Sequence, residues 1–257
     1  MTSLATAAIA MRDVAVARGG RQIWSGATLE IPRGSFTALI GPNGSGKSTL
    51  ASLVLGQLQP SNGSLSVLGE VPHRGNPAIG LVPQNHALDK ASAVQCRDVV
   101  ALGLAGTRWG MGLRGKQVGL AVDAALEAVD GMTFGKRRFG EVSGGQQQRV
   151  SIAQALITSP EMLVLDEPLA GLDLLGQVEI VELVHHINHD RGVTVVFITH
   201  DLNPLLAHID SVLYIHNGTP QFGTTDEVVD SDVLTELYGT PVQVTRTADG
   251  CVFTRAE

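Results

Sequence analysis

Phe36-Thr37-Ala38-Leu39-Ile40-Gly41-Pro42-Asn43-Gly44-Ser45-Gly46-Lys47-Ser48-Thr49 reads as a strand, a glycine-rich loop and the start of a helix in immediate succession. The near-continuous apolar run at 36–40 is what a strand buried on both faces requires. Gly41 to Thr49 then fits the pattern G-x-x-x-x-G-K-[ST], with Pro42, Asn43 and Ser45 between the glycines. Glycines at 41, 44 and 46 allow backbone N–H groups to close around a polyphosphate, and the following helix, expected over 48–58, points its positive end at the same charge. Lys47 is placed to reach the β and γ phosphates, and Ser48 to offer a hydroxyl to Mg²⁺.

About one hundred residues further on, Met162-Leu163-Val164-Leu165-Asp166-Glu167-Pro168 is a second buried strand, ending in adjacent carboxylates. The C-terminal ends of strands in a parallel sheet open onto the ligand crevice. Asp166 is therefore expected to hold Mg²⁺ through water, and Glu167 to polarise an attacking water. A glutamate here predicts a hydrolase and not merely a nucleotide sensor.

The remainder organises around these two strands. Alternating apolar residues at 9–16 and 27–31 read as early strands, with a turn at 32–35. A turn at 59–63 leads to a short strand at 64–68, and 79–84 is another strand. Helical patterns dominate from about 91 to 156, including 118–129 with Leu120, Val122, Ala125, Leu126 and Val129 apolar. Strand signals return at 193–198 and 212–215, and 242–254 reads as a hairpin around Ala248-Asp249-Gly250. The order is that of one α/β core carrying a helical insertion.

An apolar share of 44% with 17% charged residues is that of a globular chain, and a net charge of −7 argues against a nucleic-acid partner. Cys96 and Cys251 are isolated, which fits two free thiols in a reducing compartment. Met1 to Ala10 lacks a basic leader, and no stretch reaches the roughly 18 apolar residues of a membrane span. A membrane role must then come through a partner.

Val142-Ser143-Gly144-Gly145-Gln146, continued by Gln147-Gln148-Arg149, opens a helix with a second anion-binding turn. With the two motifs above, it resembles the signature of the ATP-binding cassette family, the motor subunits of ABC transporters; Val142 replaces the usual leucine. The resemblance covers roughly residues 8–240. It implies a P-loop NTPase (RecA-like) core at about 1–88 and 157–240, an N-terminal antiparallel β subdomain, a helical insertion at about 89–156, and a short extension at 241–257. It implies ATP and Mg²⁺ as cofactors. Lys47, Ser48, Gln84, Asp166 and His200 would act in one chain, Gln84 touching Mg²⁺ and His200 contacting the γ-phosphate. Ser143, Gly144, Gly145, Gln146 and the Asp173 segment would come from a second ATPase subunit, giving a homodimer around two nucleotides. The family's aromatic ring over adenine has no match: Arg18, Gly19 or Gly20 stands there. Trp24 falls a few residues late and reads as core.

The stretches 84–89, 94–103, 200–204 and 223–228 look like importers of zinc, manganese or iron chelates. That resemblance implies transmembrane permease subunits, reached through a groove between Gln84 and the helical insertion, and indirectly a solute-binding protein. It also implies a cytoplasmic position on the inner face of the membrane. A soluble cassette of iron–sulfur assembly or DNA maintenance is the alternative; only 59 positions separate Gln84 from Ser143, without the long heptad arrays of the DNA-maintenance relatives. His185, His186 and His189, on a predicted helix, read as a solvated polar face opposite Val181, Val184 and Ile187. Arg108, Arg114, Lys116 and Lys136 to Arg138 read as solvated charge.

Overall fold

The computed structural model describes residues 7–42, 44–84, 93–104, 115–216, 218–246 and 252–256. Asn43, most of the 84–89 stretch, Arg108, Arg114, the Arg18 side chain, Cys251 and the Ala248-Asp249-Gly250 turn lie outside them. β1 (Ala7–Arg18), β2 (Arg21–Pro32) and β4 (Asn62–Val67) form an antiparallel sheet in the order β2-β1-β4. The central sheet joins β3 (Phe36–Ile40), β5 (Ile79–Val82), β6 (Met162–Asp166), β7 (Thr194–Ile198), β8 (Ser211–His216) and β9 (Thr219–Thr224). Its order is β5-β6-β7-β3-β8-β9, parallel except for β9, which turns back on β8.

The near-continuous apolar runs of β3, β6 and β7 follow from burial on both faces. Side chains alternate across a sheet, so Phe36, Ala38, Leu163, Leu165, Val195 and Phe197 enter one core while Leu39, Met162, Val164, Val196 and Ile198 enter another. The first core lies beneath α4 (Gly144–Leu156) and α5 (Leu174–Arg191); the second lies beneath α1 (Lys47–Val54) and the antiparallel sheet. The α/β class expected from the sequence is the class of this fold.

α1 ends four residues before the expected 58. Gly56 adopts φ +63 against the backbone of His73, where a Cβ would overlap, and its N–H closes the helix on the Leu53 carbonyl at 3.0 Å. A left-handed glycine just past the last turn is a helix stop that the apolar pattern through Leu58 overrides on paper.

α2 (Cys96–Leu102), α3 (Lys116–Glu127) and α4 pack on one another between β5 and β6 in the chain. Leu120 is 61% exposed, whereas Val122, Ala125 and Leu126 are buried; two residues from Val122, it sits on the opposite side of a 3.6-residue turn. Arg149 of α4 donates to the Val129 carbonyl at 3.0 Å and reaches Asp130 and, on α5, Glu179. This guanidinium ties α4 both to the end of α3's turn and to the helix that covers the sheet.

α6 (Thr225–Val228) and α7 (Ser231–Tyr238) precede an antiparallel pair, β10 (Val242–Arg246) and β11 (Val252–Ala256). On α5 the solvated-face expectation is corrected for one histidine. His186 and His189 are exposed, but His185 is half-buried and its ring lies 4.6 Å from that of His208, which arrives from the segment after β7. Burial, and the charges of His185 and His186 opposed by Glu182, push His208's pKa down. Among the described residues no three histidine, cysteine or acidic side chains are grouped to hold a metal.

Candidate functional site

The parallel strands β3, β6 and β7 end side by side, and three loops leave their C-terminal edge together. β3 runs into the glycine-rich loop, where Gly41, Gly44 and Gly46 take φ values of +148, +80 and +107. Gly46 is the residue at the head of α1, and the Leu50 N–H donates to its carbonyl at 3.0 Å. An L side chain rarely adopts these dihedrals, so the loop's curvature requires glycine there. A Cβ on Gly46 would stand 2.9 Å from Cδ1 of Trp24.

Trp24 is 1% exposed, a core residue as expected, and its indole lies directly under the loop. Its Nε1 and the Ser45 hydroxyl are buried with no hydrogen-bond partner among the described residues. The sequence gives Trp24 as a buried aromatic but not as the floor of the phosphate loop.

Lys47 is buried, and its Nζ donates to the carbonyls of Gly41 at 2.5 Å and Pro42 at 3.1 Å. Burial pulls its pKa below the ordinary lysine value, while the nearby charges of Glu167 and Asp166 oppose that shift. Ser48 is exposed at the loop's mouth and Thr49 half-buried.

Asp166 closes β6, and burial together with the negative charge of Glu167 raises its pKa, with Lys47 opposing. Glu167 sits at φ +49, an unusual dihedral for a non-glycine residue, held by its N–H donating to the Ile198 carbonyl at 3.0 Å. Strain of this kind costs on the order of 1–3 kcal/mol and persists where surroundings over-determine it. Its Oε2 accepts from Nδ1 of His200 at 2.8 Å; the glutamate side chain is 14% exposed and the histidine 71%. His200 follows Thr199, whose N–H donates to the Leu39 carbonyl of β3 at 3.1 Å. Lys47, Asp166, Glu167 and His200 thus converge from three neighbouring strand ends.

Gln84 lies two residues beyond β5, exposed, at the same edge of the sheet. Ser143, Gly144, Gly145 and Gln146 stand elsewhere, at the head of α4. The Ser143 hydroxyl accepts from the Gln146 N–H at 3.3 Å and the Ser143 N–H donates to the Gln146 side chain at 3.1 Å, a reciprocal cap. Val142 is buried beneath this turn. Asp173 caps α5 by accepting from the Gly176 N–H at 2.9 Å. The structure therefore gathers one set of predicted residues and leaves the Ser143 set on a separate helix end.

The sequence profile of the ABC transporter family matches residues 24–170, from Trp24 beneath the phosphate loop through the Glu167 turn. The chain belongs to the ABC transporter family. It is 39% identical to the zinc uptake system ATP-binding protein ZurA of Listeria innocua over 190 residues, 73% of this chain and 74% of that one. It is 33% identical to the manganese transport system ATP-binding protein MntB of Bacillus subtilis over 232 residues, covering 90% and 92%. Among solved structures, an inward-facing metal-chelate type ABC transporter shares its fold at TM-score 0.84 and 27% identity, over 97% of this chain and 96% of that one. CbiO1 of Clostridium perfringens, part of the transporter complex cbiONQ, aligns at TM-score 0.78 and 28% identity, covering 89% and 93%. This ABC transporter subunit binds ATP and hydrolyses it.

Proposed function

We propose that this ABC transporter subunit is the ATP-driven motor of a transition-metal importer, for zinc or manganese, working as a homodimer around two nucleotides beneath a membrane permease. The observation that carries the dimeric reading is the separation just described. One anion-binding turn, Gly41 to Thr49, is completed by Asp166, Glu167 and His200, while a second, Ser143 to Gln146, opens a separate helix with Ser143 and Gly144 exposed. At the head of α4 the N–H groups of Gly144 and Gly145 precede the capped Gln146 N–H, and a helix start of this kind attracts an anion. A second chain supplies one. Leu174, Leu175 and Val178 on the first turns of α5, 75%, 68% and 41% exposed, give an apolar surface beside the Asp173 segment for that contact.

Within the site, Lys47 exchanges the Gly41 and Pro42 carbonyls for terminal phosphate oxygens. Glu167 orients and polarises the attacking water, with His200 holding the glutamate and reaching toward the γ-phosphate. Ser48, Gln84 and Asp166 offer a hydroxyl, an amide and a carboxylate, a hard oxygen set that suits Mg²⁺ when phosphates and water complete its shell. The raised pKa of Asp166 beside Glu167 is what a cation there relieves. Bound Mg²⁺ neutralises charge on the phosphates being separated.

The metal cargo is carried over from relatives named for zinc and manganese systems. We take about 1–240 as the nucleotide-binding domain, with the helices at about 89–156 inserted into a RecA-like core. Residues 241–257 form a short extension. None of the described helices is long and apolar enough to cross a membrane, and the permease is what would hold the subunit at the inner face. A groove of about 470 Å³ beside edge strand β5, lined by Leu55, Gln57, Arg74, Ile79 and Leu81 and close in sequence to Gln84, supports a permease seat there. It lies on the α1 side of β5, not between Gln84 and the helical insertion. A solute-binding protein would deliver the metal outside.

Glu167→Gln is the test: with ATP and Mg²⁺ the variant should elute and scatter light as a dimer, with turnover reduced at least about 100-fold. A strictly monomeric Glu167→Gln chain in the presence of its co-expressed permease would overturn the two-chain reading, and normal turnover would remove Glu167 from its role.

A further inference from the structure

We propose that Asn203 is a positioning residue for hydrolysis, pinning the His200 turn to the strand pair β10–β11 and making residues 242–256 a working part of the ATP site. This rests on the role given to His200 above.

The chain of contacts is continuous. His200 is carried by a tight turn in which the Thr199 hydroxyl donates to the Asp201 carbonyl at 3.0 Å and accepts from the Asp201 N–H at 3.1 Å. The Asp201 carboxylate accepts from both the N–H and the side-chain amide of Asn203, at 2.9 and 3.1 Å. The same Asn203 amide then crosses 51 positions of sequence. Its Nδ2 donates to the Thr254 carbonyl at 3.1 Å, while its Oδ1 accepts from the Thr254 N–H at 2.7 Å and the Thr254 hydroxyl at 3.1 Å. Donor and acceptor on one planar group meet the backbone of a β strand as another strand would.

The far end of the link is anchored too. Thr254 pairs with Val244 across β10–β11. Val244 N–H donates to the Ser231 hydroxyl at 3.0 Å, Val242 N–H donates to the Thr235 hydroxyl at 2.9 Å, and Val242 is buried in the main core. The strand pair is thus fixed to α7, and Asn203 transmits that fixity to the turn presenting His200. The need is plain from exposure: Asp201 and Asn203 are both exposed, and the His200 side chain is 71% exposed. A surface turn without a tether lets its histidine sample positions away from Glu167. Displacements of about 1 Å at a reacting centre cost on the order of 100-fold in rate.

The test uses the full chain. Asn203→Ala removes the bridge, and Thr254→Pro removes the N–H that Asn203 holds from the other side. Each should lower kcat for ATP about ten-fold with KM for ATP within about two-fold and an unchanged melting temperature. The double variant should be no slower than either single one, since both cut the same link. Hydrogen exchange at 199–206 should quicken in Thr254→Pro, a change no local defect in the hairpin produces. The proposal is overturned if Asn203→Ala keeps kcat within about two-fold, if the two losses multiply, or if the loss only tracks a lowered melting temperature. His200→Ala run alongside separates the two readings. An active His200→Ala chain sinks the role of His200, whereas an inactive one beside a fully active Asn203→Ala chain sinks Asn203 alone.

Discussion

Replacing Gly46 by alanine tests whether the phosphate loop is shaped by its own dihedrals and by the indole beneath it. Gly46 has φ +107, a conformation that costs an L residue on the order of 1–3 kcal/mol. The added methyl would also stand 2.9 Å from Trp24 Cδ1 and 3.0 Å from both Trp24 Nε1 and Ile23 Cγ2. Trp24 is 1% exposed and packed among Ile9, Val14 and Leu50, so it cannot swing away, and overpacking of this sort costs a further ~1–3 kcal/mol. The loop escapes part of this by opening, which removes it from the shape that wraps phosphate. Even ~2 kcal/mol charged against that shape weakens ATP about 30-fold, at ~1.4 kcal/mol per factor of ten. Titration calorimetry with ATP, without hydrolysis, reads the number directly. Trp24→Leu in the same chain removes the two Trp24 contacts and leaves the dihedral and the Ile23 contact, so the pair Gly46→Ala/Trp24→Leu should recover roughly ten-fold of the lost affinity. Binding by Gly46→Ala within about three-fold of the native chain would refute the argument, and a pair showing no recovery would remove Trp24 from it.

Two other outcomes are expected. Asp166→Asn should abolish hydrolysis yet flatten the pH dependence of stability: between the ordinary aspartate pKa and the raised native one, the folded chain keeps a proton that the unfolded chain releases. Stability therefore falls as pH rises through that window; denaturant melts across pH that show the same fall in Asp166→Asn contradict the assignment. Zinc added to the purified subunit should leave ATPase rate and melting temperature unchanged, because His185 packs on His208 and no third ligand is grouped with them among the described residues. A zinc-dependent melting shift that disappears in His208→Ala would show that the cluster does bind metal.

The central sheet was legible because double-sided burial leaves a plain trace: Phe36–Ile40, Met162–Leu165 and Val193–Ile198 have no polar alternation to confuse. Asp166 and Glu167 are expected at the crevice from their place at a strand end, whereas His200 is expected there only through the family resemblance; all three stand at neighbouring strand ends. What escaped reading lies across the chain. Nothing near Asn203 announces a partner 51 positions later, and an amide that mimics a strand edge is chemically indistinguishable from any surface asparagine. His208 hides for the same reason, its tilted ring contact with His185 being set by how the segment after β7 folds back on α5. The apolar pattern runs past the true end of α1 because the stop is a glycine whose necessity comes from His73, a contact invisible in the local pattern.

One consequence concerns how cheaply the proposed closure can occur. Both groups assigned to the phosphates are satisfied inside their own chain: Lys47 by two loop carbonyls, Ser143 by the cap it shares with Gln146. For the buried Lys47, lacking those partners would cost about 1–3 kcal/mol or more. A serine cap contributes only about 1 kcal/mol, and each bond from the Lys47 ammonium to a neutral carbonyl about 1.5–3 kcal/mol. Exchange of the neutral cap bonds for charge-assisted ones to phosphate, roughly twice as strong, and of neutral carbonyls for anionic oxygens at Lys47, therefore runs downhill without a large preparatory step. Loss of the γ-phosphate restores self-satisfaction just as readily. A chain whose Ser143 instead faced solvent unbonded would favour staying closed after hydrolysis; this cap gives the open state a place to return to.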